Sequence, residues 1–234
     1  MIPNTKPAMI PEISLRSAAL ITGFSLLLMA ILAPIANFAI LESLIIPGDA
    51  LTTVSNIEGA QGQFRMAIFL FLLVAILDII VAWALFVLLK PVNREWSLLA
   101  AWFRLIYSGV LVISLGNHMN VLSLLGDDSA MGQIMLFLAA FNNEWALGLI
   151  IFGFHLLLVG YLAFRSGYIN RWLGILVFIA GLGYVIDGLG AVLFANYDLN
   201  LAMFTFVGEV LLIFWCLWKG FKGLELKEKV ASNL

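Results

Sequence analysis

Six apolar runs, each about 18 to 24 residues long, decide what this chain can fold into. Roughly 20 such residues wound as a helix cross the hydrocarbon layer of a bilayer, about 30 Å thick. Inside that layer only a helix or a closed barrel leaves no backbone polar group unpaired. The runs cover residues 18–41, 67–89, 97–115, 145–164, 172–194 and 201–218. They imply an all-α fold, a polytopic integral membrane helical bundle of six transmembrane helices over 18–219, with a flexible arm at 1–17 and a polar tail at 220–234. The composition agrees: 63% of the residues are hydrophobic and 11% charged, with a mean hydropathy of +1.08, too little charge to cover a soluble surface.

The first run follows Lys6 and Arg16, as a signal peptide would. Its apolar stretch is longer than a signal h-region, so it reads as a retained span, and Pro34 predicts a kink in its outer half. Pro47-Gly48-Asp49 reads as a turn, with Asp49 as the N-cap of a short helix through Ile57 that Gly59 and Gly62 end. Met131 to Phe141 is apolar but too short to cross, and it is expected to lie along the interface or beneath the outer loops. The conformation of residues 120–144 is otherwise open.

Basic residues sort to one side. With six spans, Lys6, Arg16, Lys90, Arg94, Arg165, Arg171, Lys219, Lys222, Lys227 and Lys229 share a side. The opposite segments hold Arg65 alone among the basic residues, with Glu42, Asp49, Glu58, Asp127, Asp128, Glu144 and Asp198. By the positive-inside rule both termini are cytoplasmic, and a seventh span at 131–141 would reverse the Arg165 turn and the tail. Most of the tryptophans fall at helix ends, where amphipathic rings anchor to the interface. Cys216 stands alone, so an internal disulfide is excluded. No basic patch suggests nucleic acid. The surroundings are membrane lipids, and oligomeric state is open.

Four motifs, Ile46-Pro47-Gly48-Asp49-Ala50, Leu88-Leu89-Lys90-Pro91-Val92-Asn93, Phe154-His155-Leu156-Leu157-Leu158-Val159-Gly160-Tyr161 and Gly181-Leu182-Gly183-Tyr184-Val185-Ile186-Asp187, together resemble the bacterial membrane family called domain of unknown function 4386. Their order and spacing carry the resemblance, which extends from the first span to the fifth or sixth. It implies a compact multi-span bacterial membrane protein, located in the cytoplasmic (inner) membrane, and brings no activity, cofactor or catalytic residue with it.

An ionisable side chain within a span costs about 2.5 to 3.5 kcal/mol at the bilayer centre on insertion scales, and such residues are the functional candidates. Counting about 1.5 Å per residue from the basic ends places Arg104 roughly 10 to 12 Å deep and Asp78, His155 and Glu209 roughly 15 Å deep. These four are the candidate mid-membrane polar site. Asp187 lies deeper and groups with Asn37, His118, Asn120, Asn142, Asn143 and Glu144 as an outer polar set. Arg104, Ser108, Leu111, Leu115 and His118 share one helical face, as do Glu144, Gly148, Ile151 and His155, and Thr205, Glu209, Leu212 and Cys216. Inward stripes of this kind predict a polar path opening outward, with Glu144 at its mouth. A plain Asp78–Arg104 ion pair that fixes helix register accounts for two of the residues equally well. Gly174, Gly181 and Gly188 at sevenfold spacing predict a close-packing seam.

The inventory disfavours several enzyme classes. His118 and His155 differ by roughly 15 Å in depth and cannot share one haem iron. Two histidines fall short of a three-histidine membrane zinc hydrolase, and neither a Gly-x-Ser-x-Gly elbow nor a Walker loop is present. No metal set, cofactor or catalytic residue is assigned. The expectation is a membrane module that binds or transports a small molecule, ion or proton at Asp78, Arg104, His155 and Glu209. The alternatives are a membrane enzyme acting on a lipid or quinone-like molecule, with His155 as base or metal ligand, and a structural or signalling component without a site. The charge pattern makes one direct prediction: a reporter fused after Leu234 is active in its cytoplasmic form and silent in its extracytoplasmic form, and the reverse result contradicts the orientation.

Overall fold

The computed structural model describes residues 13–223, and among them every regular element is helical. Helix α1 (Leu15–Pro34) runs into a π-helical stretch (Ile35–Leu41) and the short α2 (Glu42–Leu44). Then come α3 (Ala50–Gly59), α4 (Gln61–Leu89), α5 (Arg94–Leu124), α6 (Met131–Arg165) and α7 (Arg171–Leu193). The sequence of elements closes with α8 (Ala202–Thr205) and α9 (Val207–Lys222). Six helical segments are long and apolar enough to cross a membrane: Leu15–Leu44, Gln61–Leu89, Arg94–Leu124, Met131–Arg165, Arg171–Leu193 and Ala202–Lys222. The six spans expected from the sequence are present, each with longer or shifted ends.

Three of those shifts have clear causes. Pro34 brings no N–H, and the chain beyond it rewinds as the π-helical stretch, so the expected kink takes the form of a register change that carries the first span on to Leu44. Met131 to Phe141 packs beneath α3 of the outer segment, the second of the two expectations, but not as a separate piece. It is the first third of α6, a helix of 35 residues and about 52 Å, because Ile134, Leu138 and Phe141 repeat at helical spacing and bury themselves against Ile57, Phe64 and Val121. Residues 120–144 are therefore two helix ends joined by a tight reversal, in which Gly126 takes a φ of +88° and donates its N–H to Glu58 on α3. The sixth span is interrupted at Phe206, where α8 gives way to α9.

The spans pack in the cyclic order α1, α4, α5, α6, α7, α9 and back to α1. Arg16 Nε closes the ring by donating to Gly220 O at 2.9 Å. Polar side chains start the helices: Ser14 caps α1, Asp49 α3, Asn93 α5 and Asn170 α7. The Thr52 hydroxyl and N–H hold the exposed Asp49 carboxyl below the usual carboxylate range. At the basic end, the Ser97 hydroxyl donates to Phe86 O and the Tyr168 hydroxyl to Leu88 O, so the Lys90 and Arg165 turns are stitched together. The outer surface is apolar, with Phe24, Ile76, Ile113, Phe154 and Phe214 all exposed.

Glycines set how close the helices come. Gly160 of α6 faces Gly174 of α7, and Gly153 faces Gly181 one heptad on. A Cβ on Gly160 would lie 2.5 Å from Phe178 N, and one on Gly174 would lie 2.5 Å from Phe164 N, both against unyielding backbone. On its other side α7 meets Gly208 of α9, whose added Cβ would sit 2.4 Å from the Leu176 carbonyl. Gly160→Ala should therefore cost about 1 to 3 kcal/mol in detergent unfolding. Gly109→Ala, on the open face of α5 with nothing within 4 Å, should be neutral or raise stability by up to about 1 kcal/mol. Equal effects at the two positions would refute the seam.

Candidate functional site

Arg104 is 2% exposed on α5, and its guanidinium organises a layer inside the ring. Nη2 lies 2.6 Å from Asp78 Oδ1 on α4, and Nη1 lies 3.1 Å from His155 Nε2 on α6. The Asp78 contact is a close, buried charge pair. The Phe152 ring covers the guanidinium from 5.2 Å.

The histidine's hydrogen bonds define its state. His155 Nδ1 is 2.8 Å from Ala100 O, and a carbonyl only accepts, so Nδ1 carries the hydrogen. Arg104 only donates, so Nε2 offers its lone pair to Nη1. The ring is thus the neutral Nδ1–H tautomer, bridging Ala100 and Arg104 one turn apart on α5. Neither nitrogen is left free for a metal or a substrate proton.

Glu209 approaches from α9. It lies within electrostatic reach of Arg104 and Asp78, and its carboxylate adjoins the Tyr184 hydroxyl of α7. Although the residue is only partly buried, Glu209 Oε1 is shut off from solvent and has no hydrogen-bond partner. Arg104 Nε and Asp78 Oδ2 are also without hydrogen-bond partners. The structure thus brings Asp78, Arg104 and His155 into contact and sets Glu209 across the ring from them.

Sequence reasoning missed the aromatic frame of this layer. Tyr107 packs on Phe152 at 5.0 Å, Phe152 meets Tyr184 edge-on at 5.4 Å, and Trp145 Nε1 donates to the Tyr107 hydroxyl at 3.2 Å. Helical spacing held a signal, since Tyr107 follows Arg104 by three residues and Phe152 precedes His155 by three. Ser108, one turn from Arg104, donates to Ala75 O at 2.8 Å and binds α5 to α4 just beside Asp78.

The outer candidates do not form one group. His118 is buried between Phe141, stacked at 4.0 Å, and Phe64 at 5.1 Å. Asn37 donates to Glu42, Asn117 donates to Glu144, and Asn142 and Asn120 face outward. Asp187 accepts from the Tyr197 hydroxyl and the Ala202 N–H, fastening the link before α8. Nor does an open polar path lead inward from Glu144. Phe71 of α4 and Phe141 and Trp145 of α6 pack on one another at 5.4 to 5.8 Å between the two layers, with Leu111 and Leu115 of α5 in the same apolar cluster. Among the described residues no set of three or more His, Cys, Asp or Glu side chains is arranged to hold a metal.

The chain matches the model of the family described as "Domain of unknown function (DUF4386)" over residues 21–220, and it belongs to that family. It is also similar to an uncharacterized protein of Archaeoglobus fulgidus, 40% identical over 160 residues, which cover 68% of this chain and 85% of the relative. That relative is archaeal. No solved structure matches the chain. Neither the family description nor the relative's name specifies an activity.

Proposed function

We propose that this protein binds a proton or a small cation at the layer formed by Asp78, Arg104, His155 and Glu209, and moves it through a cytoplasmic membrane in which both termini face the cytoplasm. The observation that carries this reading is a charge imbalance: Asp78 contacts the one guanidinium of the layer, Glu209 stands only within its electrostatic reach, and the histidine between the helices is neutral. An uncompensated charge in an apolar interior is costly, so such a layer takes up one further positive charge. Glu209, with its shielded and unpartnered Oε1, is the place for it. Arg16, Lys90, Arg94, Arg165, Arg171, Lys219 and Lys222 all sit at one end of the ring, which supports the orientation. A reading with His155 as catalytic base or metal ligand is not favoured, because both of its ring nitrogens are engaged.

Liposomes enclosing a pH-sensitive dye and driven by an imposed membrane potential test the proposal. The full chain should speed proton entry, or cation entry when that cation replaces the proton gradient. Glu209→Gln should return flux to that of protein-free liposomes without lowering thermal stability. Unchanged flux in Glu209→Gln, or none from the native protein for protons, sodium or potassium, would contradict it.

A further inference from the structure

We propose a second site, separate from the buried layer: the groove between α7 and α9 at the basic end of the bundle holds one anionic phospholipid, its acyl chain in the groove and its phosphate at Lys219 and Lys222. The groove encloses about 510 Å³, within the range of about 300 to 1,000 Å³ typical of ligand sites. Trp172, Leu176, Leu211, Phe214 and Trp218 line it, with Asn170 at its rim. It is open on the outer surface of the ring, where Trp172 is 73% exposed, Phe214 60% and Trp218 54%. Chain and headgroup requirements meet at one end. Lys219 Nζ lies 5.4 Å and Lys222 Nζ 5.1 Å from the Trp218 ring centre, so two ammonium groups stand beside the aromatic wall. Arg171, next to the rim residue Asn170, is turned to α6 instead, its guanidinium 5.6 Å from the Phe164 ring centre, so the two lysines carry the headgroup charge.

The chemistry selects the occupant. The walls are apolar and aromatic, which suits an acyl chain, and among the described residues no acidic side chain lines the groove to offset the lysines. Basic pockets between membrane helices bind anionic headgroups, and each basic side chain near the surface contributes about 1 kcal/mol. Amphipathic tryptophans at such a rim hold the boundary between chain and headgroup. A zwitterionic lipid fits the walls as well but gains little from the charges. Free phosphate gains from the charges but leaves the groove empty.

The test uses the full chain in a neutral detergent, titrated separately with phosphatidylglycerol, phosphatidylcholine and inorganic phosphate, with thermal stability and native mass spectrometry as readouts. Phosphatidylglycerol should raise the unfolding temperature and remain bound at one per chain, while the other two do neither. Lys219→Gln with Lys222→Gln should weaken that binding about thirty-fold, from two lysines at about 1 kcal/mol each. Leu211→Trp, which fills the groove from an exposed position and leaves the lysines in place, should abolish it. Equal binding of phosphatidylcholine, or phosphatidylglycerol binding unchanged in both variants, overturns the proposal. Retention of inorganic phosphate instead of lipid overturns it in favour of a free-anion site.

Discussion

A single guanidinium buried in the middle of a ring of helices is the constraint to which the rest of this structure answers. Arg104 cannot lose its charge under ordinary conditions, and leaving it without a counter-charge in an apolar interior is costly. Asp78 from α4 and His155 from α6 meet it directly, and Ala100 on its own helix fixes the histidine. Three consecutive spans are thereby held in one register. Replacing such a pair by matched apolar residues is often close to neutral, whereas removing one partner costs about 3 to 5 kcal/mol. The interaction therefore argues for specificity of arrangement more than for stability. It also leaves Glu209 as the one carboxylate in the layer without a full counter-charge.

Close packing makes that arrangement rigid. Lipid tails are as apolar as the helix surfaces, so burial of apolar area does not drive the spans together, and contact distance matters instead. Gly153 and Gly160 against Gly181 and Gly174 bring α6 and α7 to backbone contact, and Gly208 does the same for α7 and α9. Gly23 and Gly220 receive Leu217 and Leu20 where α1 and α9 close the ring. Glu209 is thus carried on a helix seated tightly against both neighbours. Beyond the layer, the aromatic plug of Phe71, Phe141 and Trp145 separates it from the outer core around His118.

Much of this was legible in the sequence because the bilayer is a severe solvent. It demands apolar helices of fixed length, and it makes Asp78, Arg104, His155 and Glu209 conspicuous as exceptions. Depth counted along each helix puts them in one layer. The α5 stripe from Arg104 to His118 is buried at every position, as helical spacing requires. What escaped the sequence has physical causes too. The length rule set aside Met131 to Phe141 as too short to cross, although a helix can continue past the membrane as part of α6. The outer polar residues share a depth, but depth says nothing about rotation around the bundle, and they pair locally instead. Gly153 and Gly160 on α6 repeat at the same sevenfold spacing as their α7 partners, but only the packing reveals that the two rows face each other and that Gly208 of α9 meets α7 from the other side.

Arg104 and the Ala100 carbonyl hold His155 as a neutral Nδ1–H ring. Nitrogen NMR of the full chain labelled at its two histidines, with His155 assigned by its loss in His155→Gln, reads this directly. A protonated Nδ1 and a hydrogen-bonded, unprotonated Nε2 are expected. An imidazolium signal, or the Nε2–H tautomer, would contradict it.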